Sequence, residues 1–138
     1  MKIRALCLAV AGTAALAAPA FAHHSFAMFD AEKTVTLNGT VKEFEWTNPH
    51  SWIRVNVADA SGTDRQWAIE MNSPAQNAQR GWTSSTLKAG DKVSLTIHPL
   101  RDGSRGGQFM AIKLADGREL SNNPNFRYDS TGARGGAE

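Results

Sequence analysis

Four histidines are the residues of this chain best suited to chemistry, because imidazole nitrogen is the commonest protein ligand of transition metals. All of them lie at ends or turns of the chain's apolar segments: His23, His24, His50 and His98. Histidines in such places keep a ring nitrogen open to a ligand, whereas a histidine inside a packed segment needs a partner in the core. Their distribution favours a metal site. The alternative is that they only cap turns and occupy a free terminus.

The start of the chain is typical of a cleavable secretory signal peptide. Lys2 and Arg4 precede a short apolar run, and Ala20 and Ala22 occupy the two positions that a signal peptidase recognises. The apolar run is shorter than the ~20 residues that a membrane-spanning helix needs, which favours cleavage over an anchor. We therefore expect a periplasmic or secreted protein without a stable membrane anchor, whose mature chain begins at His23.

Cleavage before His23 creates a chelating group, since the new α-amine and the imidazole offer two nitrogen ligands from one residue. A third nitrogen is expected from His50, with His98 or His24 as substitutes. Sites rich in nitrogen bind Cu(II) most tightly among the divalent first-row metals. The only cysteine, Cys7, is lost with the signal, which argues against a closed structural zinc site. The sequence thus predicts Cu(II) as the cofactor, or none at all.

A second hypothesis is a metal-free binding module for a small ligand or a partner protein. Trp52 lies in the opposite phase from Ile53 on its predicted strand, so its ring is expected to be exposed and able to stack on a ligand. Arg101 and Arg105 lie in a glycine-rich loop, 101–107, whose backbone amides are suited to an anion. Such a stretch also occurs as a simple connection between strands.

Neither an enzyme nor a nucleic-acid-binding protein is predicted. No serine lies in a recognisable nucleophile elbow, and Glu43, Glu45 and Glu70 are expected at exposed positions of strands. A copper oxidase built on His23 has no further support in the sequence. The signal segment carries two of the fifteen basic residues, so the mature chain balances its thirteen acidic residues and offers little attraction to nucleic acid.

The elements that position these residues are five short strands. Apolar residues alternate with polar ones, the period of a half-buried strand, over residues 35–41, 53–57, 67–71, 93–97 and 110–114. In the last of these, Met110 is expected to face the core. The phase of the first alternation changes before Phe44 and Trp46, which predicts a β-bulge.

One short helix is predicted between the third and fourth strands. Ser73, Pro74 and Gln76 have the spacing of a capping box with proline at the first helical position, and Gly81 ends the helix. Five strands with this helix predict an all-β, OB-fold-like barrel. In that fold the loop between strands one and two and the loop between strands four and five border one face, so His50 and His98 are expected near each other.

The chain divides into four parts on this interpretation. Residues 1–22 form the signal peptide, 23–34 an N-terminal arm and 35–120 the barrel. Residues 121–138 are polar and rich in glycine and asparagine, which is typical of a flexible tail.

Short motifs spread along the mature chain give it a family resemblance. They are HHSF at 23–26, GTV at 39–41, WTNPH at 46–50, SP at 73–74, GW at 81–82, GD at 90–91 and HPLRDG at 98–103. With these motifs the chain resembles a domain-of-unknown-function family of small exported proteobacterial proteins. The resemblance implies the barrel fold and a periplasmic location, and it implies no catalytic residue.

Overall fold

The computed structural model describes residues 26–123, 126–129 and 132–134. The predicted signal peptide, His23 and His24 lie outside these residues. The described strands are β1 (Val35–Glu45), β2 (Trp52–Ala58), β3 (Asp64–Glu70), β4 (Lys92–Pro99), β5 (Gly106–Leu114), β6 (Glu119–Ser121), β7 (Arg127–Asp129) and β8 (Gly132–Arg134). One helix, α1 (Pro74–Ala78), lies between β3 and β4, and a single 3-10 turn, Phe26–Met28, precedes β1.

The first five strands close into a barrel, which confirms the predicted all-β OB-fold-like architecture. The order around the sheet is β3-β2-β1-β4-β5, and a short parallel pairing between β3 and β5 completes the circle. Closure requires β1 to pair with two strands in succession: its first half pairs with β4 and its second half with β2. β1 can do both because it is the longest strand and bends part of the way along.

The bend in β1 is the predicted β-bulge. Val41 pairs with Val55 and Glu43 pairs with Arg54, so Lys42 is an extra residue on β1. An extra residue bends the strand and reverses which side chains face inward beyond it. The β-bulge that the phase change predicted is thereby confirmed.

A second bulge corrects the prediction for strand five. Ile97 pairs with Phe109 while its neighbour Thr96 pairs with Ala111, which leaves Met110 as the extra residue. Phe109 is therefore the inward residue, 1% exposed, and Met110 is only half buried. The assignment of Met110 to the core was wrong, because the bulge reverses the alternation at that point.

The barrel interior is filled by apolar side chains from all five strands and from the segment after α1. The buried set is Leu37, Val41, Ile53, Val55, Ile69, Met71, Trp82, Leu87, Val93, Leu95, Ile97, Phe109, Ile112 and Leu114. Trp82 packs edge-on against Phe109, with ring centroids 5.4 Å apart. The helix begins with the predicted capping box of Ser73 and Gln76 and ends with Gln79 as its C-cap.

The strand β6 completes the edge of β5 that β3 leaves open. β3 pairs with Gly106, Gly107 and Gln108, and β6 pairs with residues 111–113 on the same edge. The boundary expected after residue 120 therefore falls inside β6, and Phe126 beyond it is 4% exposed.

Candidate functional site

The backbone at His50 is fixed from both sides. Its carbonyl accepts a hydrogen bond from Thr47 Oγ1 at 2.9 Å. The next residue, Ser51, exchanges backbone hydrogen bonds with the chain after β3, donating to Asn72 and accepting from Met71. The pairing of β2 with β3 thus continues past both named strands and anchors the loop that carries His50.

The imidazole of His50 is held in one tautomer. Nδ1 lies 2.9 Å from the carbonyl oxygen of Met71 and 3.1 Å from Oε1 of Glu70. A carbonyl oxygen can only accept, so Nδ1 carries a proton, and in the neutral ring Nε2 keeps its lone pair. The side chain is 33% exposed. Carboxylate and carbonyl partners of this kind orient metal-ligating histidines and raise their basicity.

Glu70 is the site residue that the sequence did not reveal. We expected it at an exposed strand position, and that expectation was wrong, because Glu70 is only 6% exposed. It does point away from the barrel interior, as the alternation with Ile69 and Met71 requires. Its burial comes from contacts outside the strand, including His50, and β3 taken alone contains no signal for it.

A polar row connects His50 to His98 on the outer side of the barrel. Glu70 pairs with Gln108, and Gln108 pairs with His98, so these three side chains share one face. Neighbouring strands are ~4.8 Å apart, so the backbones of Glu70 and His98 are separated by about 10 Å. The fold brings the two predicted histidines to one side of the barrel, with His50 at Glu70 and His98 two strands away.

His98 has the same type of anchor as His50. Its Nδ1 lies 2.7 Å from the carbonyl oxygen of Lys33, the last part of the arm before β1. Nδ1 must donate, and Nε2 is again the nitrogen with a lone pair. His98 lies next to Pro99 at the end of β4, as predicted, and it is half buried.

The N-terminal arm is bound to the connection between β4 and β5. Phe29 is buried and forms a β-bridge with Leu100. Arg101 donates from its backbone N–H to the carbonyl of Met28 at 2.9 Å and from Nε to the carbonyl of Ala27 at 3.1 Å. Its Nη1 also lies 3.7 Å from Oδ1 of Asp30. Arg101 thus holds the arm in this structure.

Asp30 adds a charged contact to the same arm. A hydrogen bond from the Lys33 ammonium, 3.0 Å away, is the main cause that holds the pKa of Asp30 below its ordinary value. Arg101 lowers this pKa further through its charge. The carboxylate of Asp30 therefore stays ionised at neutral pH and keeps its attraction to both cations.

Of the remaining predicted ligand-binding residues, Trp52 pairs with Glu70 and therefore lies beside the His50 site, whereas Arg105 lies in the loop before β5. Trp52 is half buried rather than fully exposed, and the guanidinium of Arg54 lies 4.9 Å from its ring centroid. Arg105 is exposed, and its carbonyl accepts a hydrogen bond from Ala68. Trp52 therefore offers a stacking surface that Arg54 already covers on one side.

Within residues 26–123, 126–129 and 132–134, no group of three histidine, cysteine, aspartate or glutamate side chains is placed to hold a metal ion. The His50 and Glu70 pair supplies one free imidazole nitrogen there. Both histidines of the predicted terminal chelate precede the described part of the chain. No helix in that part has the length and apolar character to cross a membrane.

Two solved structures are similar to this fold at low identity. Both are crystal structures of the mitochondrial single-stranded DNA binding protein Rim1 from S. cerevisiae. The first is 14% identical with a TM-score of 0.44, covering 60% of this chain and 94% of that one. The second is 11% identical with a TM-score of 0.43, covering 66% and 97%. Likenesses this distant carry no functional inference.

The comparison with curated proteins finds no match for the chain. A family model does match, over residues 11–109, which include β1 to β4 and the first four residues of β5. The match includes His23, His24, His50 and His98 together with Glu70. On this basis the chain belongs to DUF6152, a family of unknown function.

Proposed function

We propose that this protein is exported, cleaved before His23, and binds one Cu(II) ion per chain. The ligands are the α-amine and imidazole of His23 and Nε2 of His50. One observation carries the proposal: Glu70 and Met71 hold Nδ1 of His50, so that Nε2 is left as a preset ligand atom. Metal-bound imidazoles usually donate their other ring N–H to a carboxylate or a backbone carbonyl in this way.

The docked arm supports the participation of the terminus. Four Cα–Cα steps lead from Ala27 back to His23, a span of at most ~14 Å for an extended chain. The backbones of Phe29 and Ala68 are joined by three neighbouring pairs: Phe29 with Leu100, Leu100 with Gly106, and Gly106 with Ala68. Three inter-strand spacings correspond to about 14 Å. His50 contacts the residues that follow Ala68 on the same strand. The reach of the terminus is therefore of the same order as the distance from the arm to β3.

The proposed activity is metal carriage or sensing in the periplasm rather than catalysis. A site with two nitrogens from His23 and one from an anchored imidazole binds Cu(II) by geometry and ligand type, as first-row selectivity requires. Binding depends on pH, because the amine and the imidazoles must lose protons before they can bind the metal. Free α-amines titrate near pH ~7.7–8.0, so affinity falls as the pH is lowered from that range.

The decisive experiment is Cu(II) titration by calorimetry and electron paramagnetic resonance on four metal-free proteins. They are the chain beginning at His23, the same chain extended by one alanine ahead of His23, His50→Ala, and His98→Ala as the matched control. We expect the extension and His50→Ala each to weaken binding at least tenfold, with the signature of fewer nitrogen ligands. His98→Ala should keep the spectroscopic signature of the parent's full set of nitrogen ligands.

Because His50→Ala leaves the Glu70 carboxylate buried without its imidazole, the folded state of that variant must be checked by circular dichroism. The chain extended by one alanine needs no such check of its fold, since the extension changes only the terminus. Equal affinity of the extended and authentic chains would overturn the proposal. So would an intact mass of the exported protein that retains residues 1–22.

A further inference from the structure

A gap in the pairing along the outer edge of β5 is filled by a single residue, Asn122. β3 pairs with β5 as far as Gln108, and β6 begins to pair at Ala111, so neither strand reaches the carbonyls of Phe109 and Met110. Asn122 satisfies both of them. Its Nδ2 donates to the carbonyl of Phe109 at 2.8 Å, and its backbone N–H donates to that of Met110 at 2.8 Å.

The bond from Nδ2 fixes the orientation of the Asn122 side-chain amide, and the amide oxygen is left without a partner among the described residues. Oδ1 is buried, and no atom of the described residues donates a hydrogen bond to it. A buried acceptor without a partner costs free energy, so such a group in a folded protein needs an explanation. A ligand that donates a hydrogen bond here would remove that cost.

A cavity of about 240 Å³ lies beside Asn122. We name it the Asn122 cavity, and its wall consists of His98, Gln108, Phe109, Met110, Asn122, Asn123 and Phe126. Among the described residues, this wall contains no aspartate, glutamate, lysine or arginine. It combines neutral polar groups, including Nε2 of His98 as an acceptor, with the apolar surfaces of Met110 and Phe126.

A second cavity of about 210 Å³ on the barrel has the opposite character. Its wall includes Asp91, Lys92, Asp116 and Arg118. Asp116 and Arg118 are already paired at 2.7 Å, and Nζ of Lys92 donates to Thr40. The charged groups of that wall are thus engaged with the protein itself, while the Asn122 cavity offers acceptors that the fold leaves open.

We propose that the Asn122 cavity binds a small uncharged ring compound that carries an amide. The amide N–H groups donate to Oδ1 of Asn122 and to Nε2 of His98. The ring packs against Met110 and Phe126. Charged analogues are rejected, because the wall offers no counter-ion and an unpaired charge loses its hydration on entry. Discrimination by polar groups that would otherwise stay unpaired is the stronger kind of selectivity.

The test compares three ligands of one shape: benzamide, benzoate and benzylamine. The protein is the metal-free chain extended by one alanine ahead of His23, so that the result does not depend on whether the copper proposal holds. Binding is followed by chemical-shift titration of the amide resonances. We expect benzamide to shift resonances at 108–110 and 122–126, with the other two ligands at least tenfold weaker.

Two variants locate the binding. Phe126→Ala removes one apolar wall and should weaken benzamide at least fivefold, whereas Thr86→Ala, in the wall of the second cavity, should change nothing. Asn122→Ala is a supporting variant only if its spectrum shows the barrel intact, since it also loses the side-chain hydrogen bond to the carbonyl of Phe109. Equal binding of all three ligands, or shifts confined to other regions, would overturn the proposal.

Discussion

Oε1 of Glu70 lies 3.1 Å from Nδ1 of His50, which joins a buried carboxylate to a half-exposed imidazole. The carboxylate makes the ring a better electron donor, and it restricts the ring to one orientation. Removing the charge while keeping the size, in Glu70→Gln, should lower Cu(II) affinity about tenfold, the low end of the usual effect of such partners. Calorimetric titration of the chain beginning at His23 measures it.

The matched control is Glu45→Gln, which removes an equal charge from the partner of Arg54 on the other side of Trp52. It should leave Cu(II) affinity unchanged. If both variants lose affinity equally, the effect is one of overall charge, and Glu70 has no special role at the site.

Arg101→Ala should release the N-terminal arm. The change removes the side-chain bond to the carbonyl of Ala27 and the charge next to Asp30, while the backbone bond to Met28 remains. We expect faster hydrogen exchange of residues 27–30 and at least a threefold loss of Cu(II) affinity. The loss should appear with the authentic terminus and vanish with the extended one, which a general loss of stability would not produce. Arg105→Ala, on the same loop, is the control.

Asp59 gives a prediction for stability against pH. Hydrogen bonds from Ser61, from Nε of Arg65 and from the Thr63 backbone lower the pKa of Asp59 to about 2. The unfolded value is ~3.9, so the folded state gains stability from this group above that pH and loses it as the pH falls towards about 2. Asp59→Asn should therefore be less stable than the parent at pH 7, with the difference disappearing near pH 2.

Urea unfolding at several pH values between 2 and 7 checks this expectation. Asp64→Asn removes the same charge at the start of β3 and serves as the control, because it does not belong to the turn network. A stability difference for Asp59→Asn that stays constant down to pH 2 would contradict the assignment.

Gly39 lies where β1 crosses close to β2. A Cβ atom there would stand 2.5 Å from the carbonyl oxygen of Asn56 and 2.7 Å from Cγ2 of Val55. Because both neighbours belong to a paired strand, neither can move away freely. Gly39→Ala should cost about 1–3 kcal/mol in the free energy of unfolding, the usual range for overpacking. Asn38→Ala, one residue earlier and exposed, should cost far less in the same urea titration.

The sequence was sufficient to predict the barrel because its signals are local. Alternation marks each strand, the phase change near Lys42 marks the bulge, and Ser73 with Gln76 marks the helix start. The failure at Met110 has the same origin. One extra residue reverses the alternation there, and the sequence has no turn residue or glycine at that point that would predict the bulge.

The site was predictable only in part, because its partners come from distant segments. His50 and His98 stand out by their positions in the sequence, but the groups that orient them are the carbonyls of Met71 and Lys33 and the carboxylate of Glu70. Any residue type supplies a carbonyl, so the sequence holds no trace of those bonds. Arg101 was assigned to an anion, whereas the structure directs it to the arm, which only the β-bridge between Phe29 and Leu100 reveals.

The way the barrel closes also sets when it can fold. β1 must pair with β4, and β3 must pair with the start of β5. The barrel therefore cannot close until most of the chain has been synthesised. Pairings between such distant segments form slowly, because the entropy of closing the loop must be met first. A chain that leaves the cytosol in the way proposed here has to pass through the membrane unfolded. In a chain exported in that way, the late closure would leave the barrel unformed while the earlier strands cross the membrane.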